Sequence, residues 1–260
     1  MINQLRADLF VLRHSGAAAL CLLVCVIAAV LYTWLQHSLA QGSLGAEAAS
    51  GVQGLSDILL VSLLGPLLYG VVVSQPFETK SVHNALLASG RGAFVASKTV
   101  IAAGLVTALS FPYGLAVLVG RATEAEFAPA IPTAFSLLLA EGGTLDGAEV
   151  WSILAITLTS GLLTAAKLSV CLPLAIWLKR PLVVMAAGFV WGFVADLLAG
   201  EFSEIEGLDA LVRLTPFALE HMPTADSSGG ELLGALVASA AFIALMGLVS
   251  WLIFRRADVK

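Results

Sequence analysis

Ser74 to Lys98 reads SQPFETKSVHNALLASGRGAFVASK. It is the most polar segment of the first half of the chain after the opening residues, and it lies between two long apolar runs. Glu78, Lys80, His83, Arg91 and Lys98 sit within 25 residues, in a chain of 260 residues of which only 12% are charged. Soluble domains carry about 25%. With 59% hydrophobic residues and a mean hydropathy of +0.96, the composition is that of an integral membrane protein. The polar stretch is then water-facing chain between two membrane spans, and the runs on either side set the fold.

A helix needs about 20 apolar residues to cross the hydrocarbon layer. Six runs qualify: Ala17–Leu35, Leu55–Val73, Phe94–Val119, Val150–Leu178, Pro181–Ala199 and Leu232–Phe254. Pro173 is expected to kink the fourth. Every polar stretch is short, so residues 1–260 read as a single transmembrane domain, all-α.

Six spans place both ends on one side, and charge chooses the side. Arg6, Arg13, Lys80, Arg91, Lys98, Lys179, Arg180, Arg255, Arg256 and Lys260 share the side of the ends with only Asp8, Glu78 and Asp258, a balance of +7. Arg121 and Arg213 face the other fifteen acids, a balance of −13 with Lys167 left out. Both termini are therefore expected in the cytoplasm, and Lys179-Arg180-Pro181 as a short cytoplasmic hairpin. A cleaved signal peptide ending near Ser38-Leu39-Ala40 is the competing reading of the start, but the apolar run exceeds the usual length of such a leader.

Ile2, Leu5, Leu9 and Leu12 recur at roughly helical spacing, flanked by Arg6, Asp8 and Arg13, which predicts an amphipathic helix in the cytoplasmic interface; the alternative is a ragged helical extension of the first span. Two outer loops are substantial. The first, Arg121–Glu149, holds an apolar patch, Phe135–Leu139, and then GGTLDG. The second, Gly200–Glu231, holds FSEIEGLDALVRL, whose Ile205, Leu208, Leu211, Val212 and Leu214 suggest a short amphipathic helix. Within Ser74–Lys98 a short helix is expected from Pro76 to about Ser89, broken by Gly90-Arg91-Gly92. Such a helix is either a rigid knob for a cytoplasmic partner or a loop whose charges only fix topology.

Chemistry is sparse. There is no G-x-x-x-x-G-K-[ST] and no H-E-x-x-H. Ser160-Gly161 lacks a nucleophile pattern. His14, His37, His83 and His221 lie in unrelated segments, and no predicted span holds a histidine. Catalytic residues are therefore not expected, nor a metal site. Cys21, Cys25 and Cys171 read as small core residues. Net charge −5 argues against a nucleic-acid partner. Lys167 lies about 12 residues before Lys179, roughly 18 Å along a helix, and a charge at that depth faces the bundle or a wet cavity. It is either a pathway or interface residue or a structural lysine bonded to a carbonyl freed by Pro173. Asp57 and Asp196 read as exterior charges.

Phe77, Glu78, Lys80, Leu86-Leu87, Gly90-Arg91 and Lys98, in that order, resemble the segment after the second span in permeases of the type-two ABC exporter superfamily. The closing IFRRADVK resembles the family ending. The resemblance implies that this segment is a coupling helix docking on a separate ATP-binding subunit, with Phe77, Glu78, Lys80, His83, Leu86, Leu87 and Arg91 as contacts. It implies ATP and Mg bound by that partner rather than by this chain, a second permease copy or paralogue, and residence in a bacterial plasma membrane. It also implies export of a peptide or other amphipathic substrate, as in self-protection against lantibiotics. The alternative is a membrane scaffold or secondary carrier without an ATPase, which would more often show repeat symmetry and several polar residues at mid-membrane.

Overall fold

The computed structural model describes residues 2–44, 53–129, 131–141, 145–205 and 207–256, and among them all regular structure is helical. Of the stretches singled out above, residues 142–144 of GGTLDG, Glu206 of FSEIEGLDALVRL and the closing residues 257–260 fall outside the described residues. Eleven α-helices follow in order: α1 (Ile2–Arg13), α2 (Gly16–Ala40), α3 (Asp57–Glu78), α4 (Val82–Ala108), α5 (Phe111–Ala122), α6 (Ala134–Ala140), α7 (Gly147–Leu168), α8 (Cys171–Leu178), α9 (Pro181–Ser203), α10 (Asp209–Arg213) and α11 (Gly229–Arg256). Among the described residues, six helical stretches are long and apolar enough to cross a membrane: α2, α3, Ser89–Ala122, α7, α9 and α11.

The six expected spans are therefore present, and their limits move for local reasons. The first helix runs on to Ala40 and includes His37, against the expectation that no span holds a histidine. His37 lies at the helix end, where Nδ1 pairs with the Glu126 carbonyl at 2.9 Å. The fourth run is interrupted rather than merely kinked. Pro173 lacks an N–H and crowds the carbonyl four residues back, and the helix stops at Leu168 and restarts at Cys171. Carbonyls opened at the end of α7 find side-chain donors: Tyr69 Oη donates to Ala165 O at 2.7 Å, and Trp191 Nε1 to Lys167 O at 3.3 Å. The third run is likewise interrupted, between α4 and α5 at Leu109-Ser110.

Helix α3 lies at the centre, packed against α9, α4 and α8, with α7 against α4 and α11. Helix α2 leans on α5 and α3 at the periphery. One close approach joins α3 to the start of α9: a Cβ on Gly70 would stand 2.8 Å from the Pro181 carbonyl oxygen, so glycine lets the two backbones meet. Cys21, Cys25 and Cys171 are buried free thiols. The apolar patch of the first outer loop is α6, closed by a reciprocal Thr133–Ser136 capping box and buried through Phe135, Leu138 and Leu139. The expected helix of the second outer loop shrinks to α10, followed by a 3-10 turn at Leu219–His221.

Candidate functional site

Two regions gather the polar side chains that a membrane protein keeps for a purpose, one at each end of the bundle.

The first is built around Ser74–Lys98. Helix α3 runs through Pro76 and ends at Glu78, so the expected start of a new helix at Pro76 is corrected. The chain turns at Thr79–Ser81, with Lys80 in the left-handed region at φ 56°. A short helical foot then spans Val82 to Ser89. Gly90 breaks it with φ 76° and ψ 163°, a backbone that favours glycine. Val82 is buried, and Ala85 and Leu86 pack on the core, while Glu78, Lys80, His83 and Asn84 are exposed and Leu87 is 89% exposed. The seven residues proposed as contacts thus divide. Glu78, Lys80, His83 and Leu87 point outward, whereas Phe77 and Leu86 are half-buried supports.

Arg91 has a different task. Its Nη1 donates to the carbonyls of Phe254 (3.0 Å) and Arg255 (2.7 Å), the open C-terminal end of α11. Arginine caps such carbonyls well because the helix end carries partial negative charge. Below it Phe77, Phe94 and Phe254 meet with ring centroids 5.6 to 6.2 Å apart. Lys179 stands 5.6 Å over the Phe77 ring. Helix α1 is pinned to the same end. Asp8 accepts from Lys98 Nζ at 3.0 Å, Ser97 Oγ at 2.7 Å and Gln4 Nε2 at 3.1 Å, with both charged side chains only 10% exposed. The bundle-facing side of α1 therefore carries Gln4, Leu5, Asp8 and Leu12, and Ile2, Leu9, Phe10 and Val11 are left exposed on the other. The amphipathic stripe read from the sequence is split between these two faces. The N-terminal helix, the foot, the Lys179 turn and the end of α11 accordingly sit together at one end.

The second region surrounds Lys167. Its Nζ bonds Asp196 Oδ1 at 2.8 Å and stands 5.8 Å over the Phe217 ring. Asp196, read above as an exterior charge, is the partner of Lys167, and the lysine meets a carboxylate where a freed carbonyl was one expectation. A cavity of about 350 Å³ opens beside the pair, lined also by Ser203, Asp209, Arg213 and Glu220. Arg213 pairs with Asp209 at 3.3 Å and with Glu220 at 3.4 Å. Asp57 is also corrected: it is buried, as the first residue of α3, where a carboxylate suits the helix N-terminus. Among the described residues no group of three or more His, Cys, Asp or Glu gathers as for a metal ion.

No family model matches the chain, and no curated protein matches it. What the fold defines is a class: an all-helical protein with six helices long and apolar enough to make it a multi-pass membrane protein.

Proposed function

We propose that the chain is the membrane-spanning permease subunit of an ABC transporter of the type-two exporter kind. In this reading both termini and the foot are cytoplasmic, in a bacterial plasma membrane. A separate ATPase subunit binds ATP and Mg, docks on the foot, and by closing pulls on the spans. A second permease copy or paralogue completes the path, and the cargo is a peptide or other amphipath. The observation that carries this reading is the foot itself. Val82–Ser89 is a stiff lever of about two turns with an outward face at His83, Asn84 and Leu87, joined to α3 by the Thr79–Ser81 turn and to the rest of α4 at Gly90. Arg91 and the three phenylalanines extend the connection to α11. An exposed leucine at the tip of a basic, charged knob is what a groove on a soluble partner would take up.

Co-purification with a co-expressed ABC ATPase subunit tests this. Leu87→Glu is expected to reduce the bound ATPase by about tenfold or more, the size of a lost interface hot spot, with unchanged thermal stability because the side chain packs on nothing. An undiminished complex in that variant removes the coupling role. A second reading, a secondary carrier without an ATPase, draws on one observation: Lys167 and Asp196 form an ion pair at membrane depth beside a cavity. Transport that persists with no ATPase present would favour it.

A further inference from the structure

The cavity beside Lys167 and Asp196 has a neighbour of different character. An open cavity of about 390 Å³ is lined by Trp191, Ala195, Leu198, Phe202, Leu208 and Leu211, with no charged side chain in its lining among the described residues. The two cavities share Ala199, Val212 and Phe217 as a common wall. Each lies within the range of roughly 300–1,000 Å³ typical of small-ligand sites. One compartment is ionic and the adjoining one apolar, which is the division found within an amphipathic molecule.

The sign of the head group follows from how the charges are spent. Three carboxylates, Asp196, Asp209 and Glu220, face two cations, Lys167 and Arg213. Lys167 is recessed, with its side chain 18% exposed, and is committed to Asp196 and to the Phe217 ring, whereas Asp196 is 56% exposed and Glu220 62%. What the cavity offers an entering molecule is therefore carboxylate oxygen, with a residual charge of −1. An anionic head would meet that excess and would have to displace Asp196 to reach Lys167. We propose that this outer vestibule binds an amphipathic cation. Its ammonium or guanidinium group lies among Asp196, Asp209 and Glu220, and its apolar body lies in the cavity under Trp191, Phe202 and Leu211.

The proposal deepens the export reading by naming the chemistry of one cargo site. It rests on that reading only for the identification of the bound molecule as cargo. Binding is tested on the purified chain alone in a neutral maltoside detergent, so loss of the ATPase complex and loss of this site are separate outcomes. Three photoreactive probes with the same diazirine-bearing twelve-carbon chain are compared: an alkylammonium, an alkanoate and an alcohol. The ammonium probe is expected to label residues 191–222 saturably, and unlabelled dodecylammonium to compete with it. The other two probes should label that segment no more than the rest of the surface. Asp209→Asn with Glu220→Gln, both on the solvent-facing segment, should lower saturable labelling by about three- to fivefold, the value of exposed ion contacts. Glu220→Gln alone should give a smaller drop in the same direction, and Glu141→Gln, at an exposed position outside the vestibule, none. Equal labelling by all three probes, stronger labelling by the alkanoate, or full labelling of the double variant would each overturn the proposal.

Discussion

The two ends of the bundle use charge in opposite ways. At the end that carries α1, the foot and the finish of α11, most named ionic groups close a joint. Asp8 with Lys98 locks α1 to α4, Arg91 locks the foot's exit to α11, and Lys179 covers Phe77. At the other end the ion pairs of Lys167 and Arg213 border an open cavity, and their carboxylates are 39 to 62% exposed. A buried pair cannot lose one member cheaply, because the survivor has no solvent to turn to; a half-open pair can. The first end is suited to passing a displacement from one helix to another, the second to admitting something from outside.

Three substitutions test that contrast, from the largest expected effect to the smallest. Asp8→Ala strands Lys98 at a site 10% exposed and should destabilise the protein by about 3–5 kcal/mol, measured by thermal unfolding in detergent. Adding Lys98→Met should recover part of that loss, since no unpaired charge then remains. If Asp8→Ala melts with the wild-type chain, the joint is not electrostatic and the contrast fails. Arg91→Ala removes two charge-assisted bonds to helix-end carbonyls, from an exposed position, and should cost about 1 kcal/mol. Arg91→Lys should restore only part: both bonds come from the one nitrogen Nη1, which an ammonium can replace, but the guanidinium's place over the Phe254 ring, 5.6 Å from its centroid, is lost. Lys167→Met leaves an Asp196 that is 56% exposed without its partner, and should cost less than Asp8→Ala, whose stranded Lys98 is 10% exposed. A loss as large as that of Asp8→Ala would mean that the outer pair is a structural joint as well, and would erase the difference between the ends.

Much of the architecture was legible because hydrocarbon leaves a chain few options. Every backbone N–H and C=O must be satisfied internally, so long apolar runs become helices and the six spans can be counted. Boundaries were less legible, because helices continue past the hydrophobic run while water still satisfies their ends: α2 to Ala40, α3 through Pro76, α9 to Ser203. The foot was found as a segment but entered too early, since a proline in the last turn of α3 was tolerated there. Its outward face could not be read, because which of Leu86 and Leu87 packs inward depends on where that helix starts.

The pairings lay beyond sequence. Asp8 and Lys98 are 90 residues apart, Arg91 and Phe254 are 163 apart, and Lys167 and Asp196 are 29 apart. Depth alone flagged Lys167, but nothing along the chain named its partner, and Asp196 drew the opposite reading. The sequence by itself determined that this is a six-span helical protein and how its charge divides between two sides, since hydropathy and charge balance act locally, run by run. Only the tertiary structure decided which charges are spent on joints and which line an open vestibule, because an ion pair's role depends on the neighbours that shield it, and those come from helices distant in the chain.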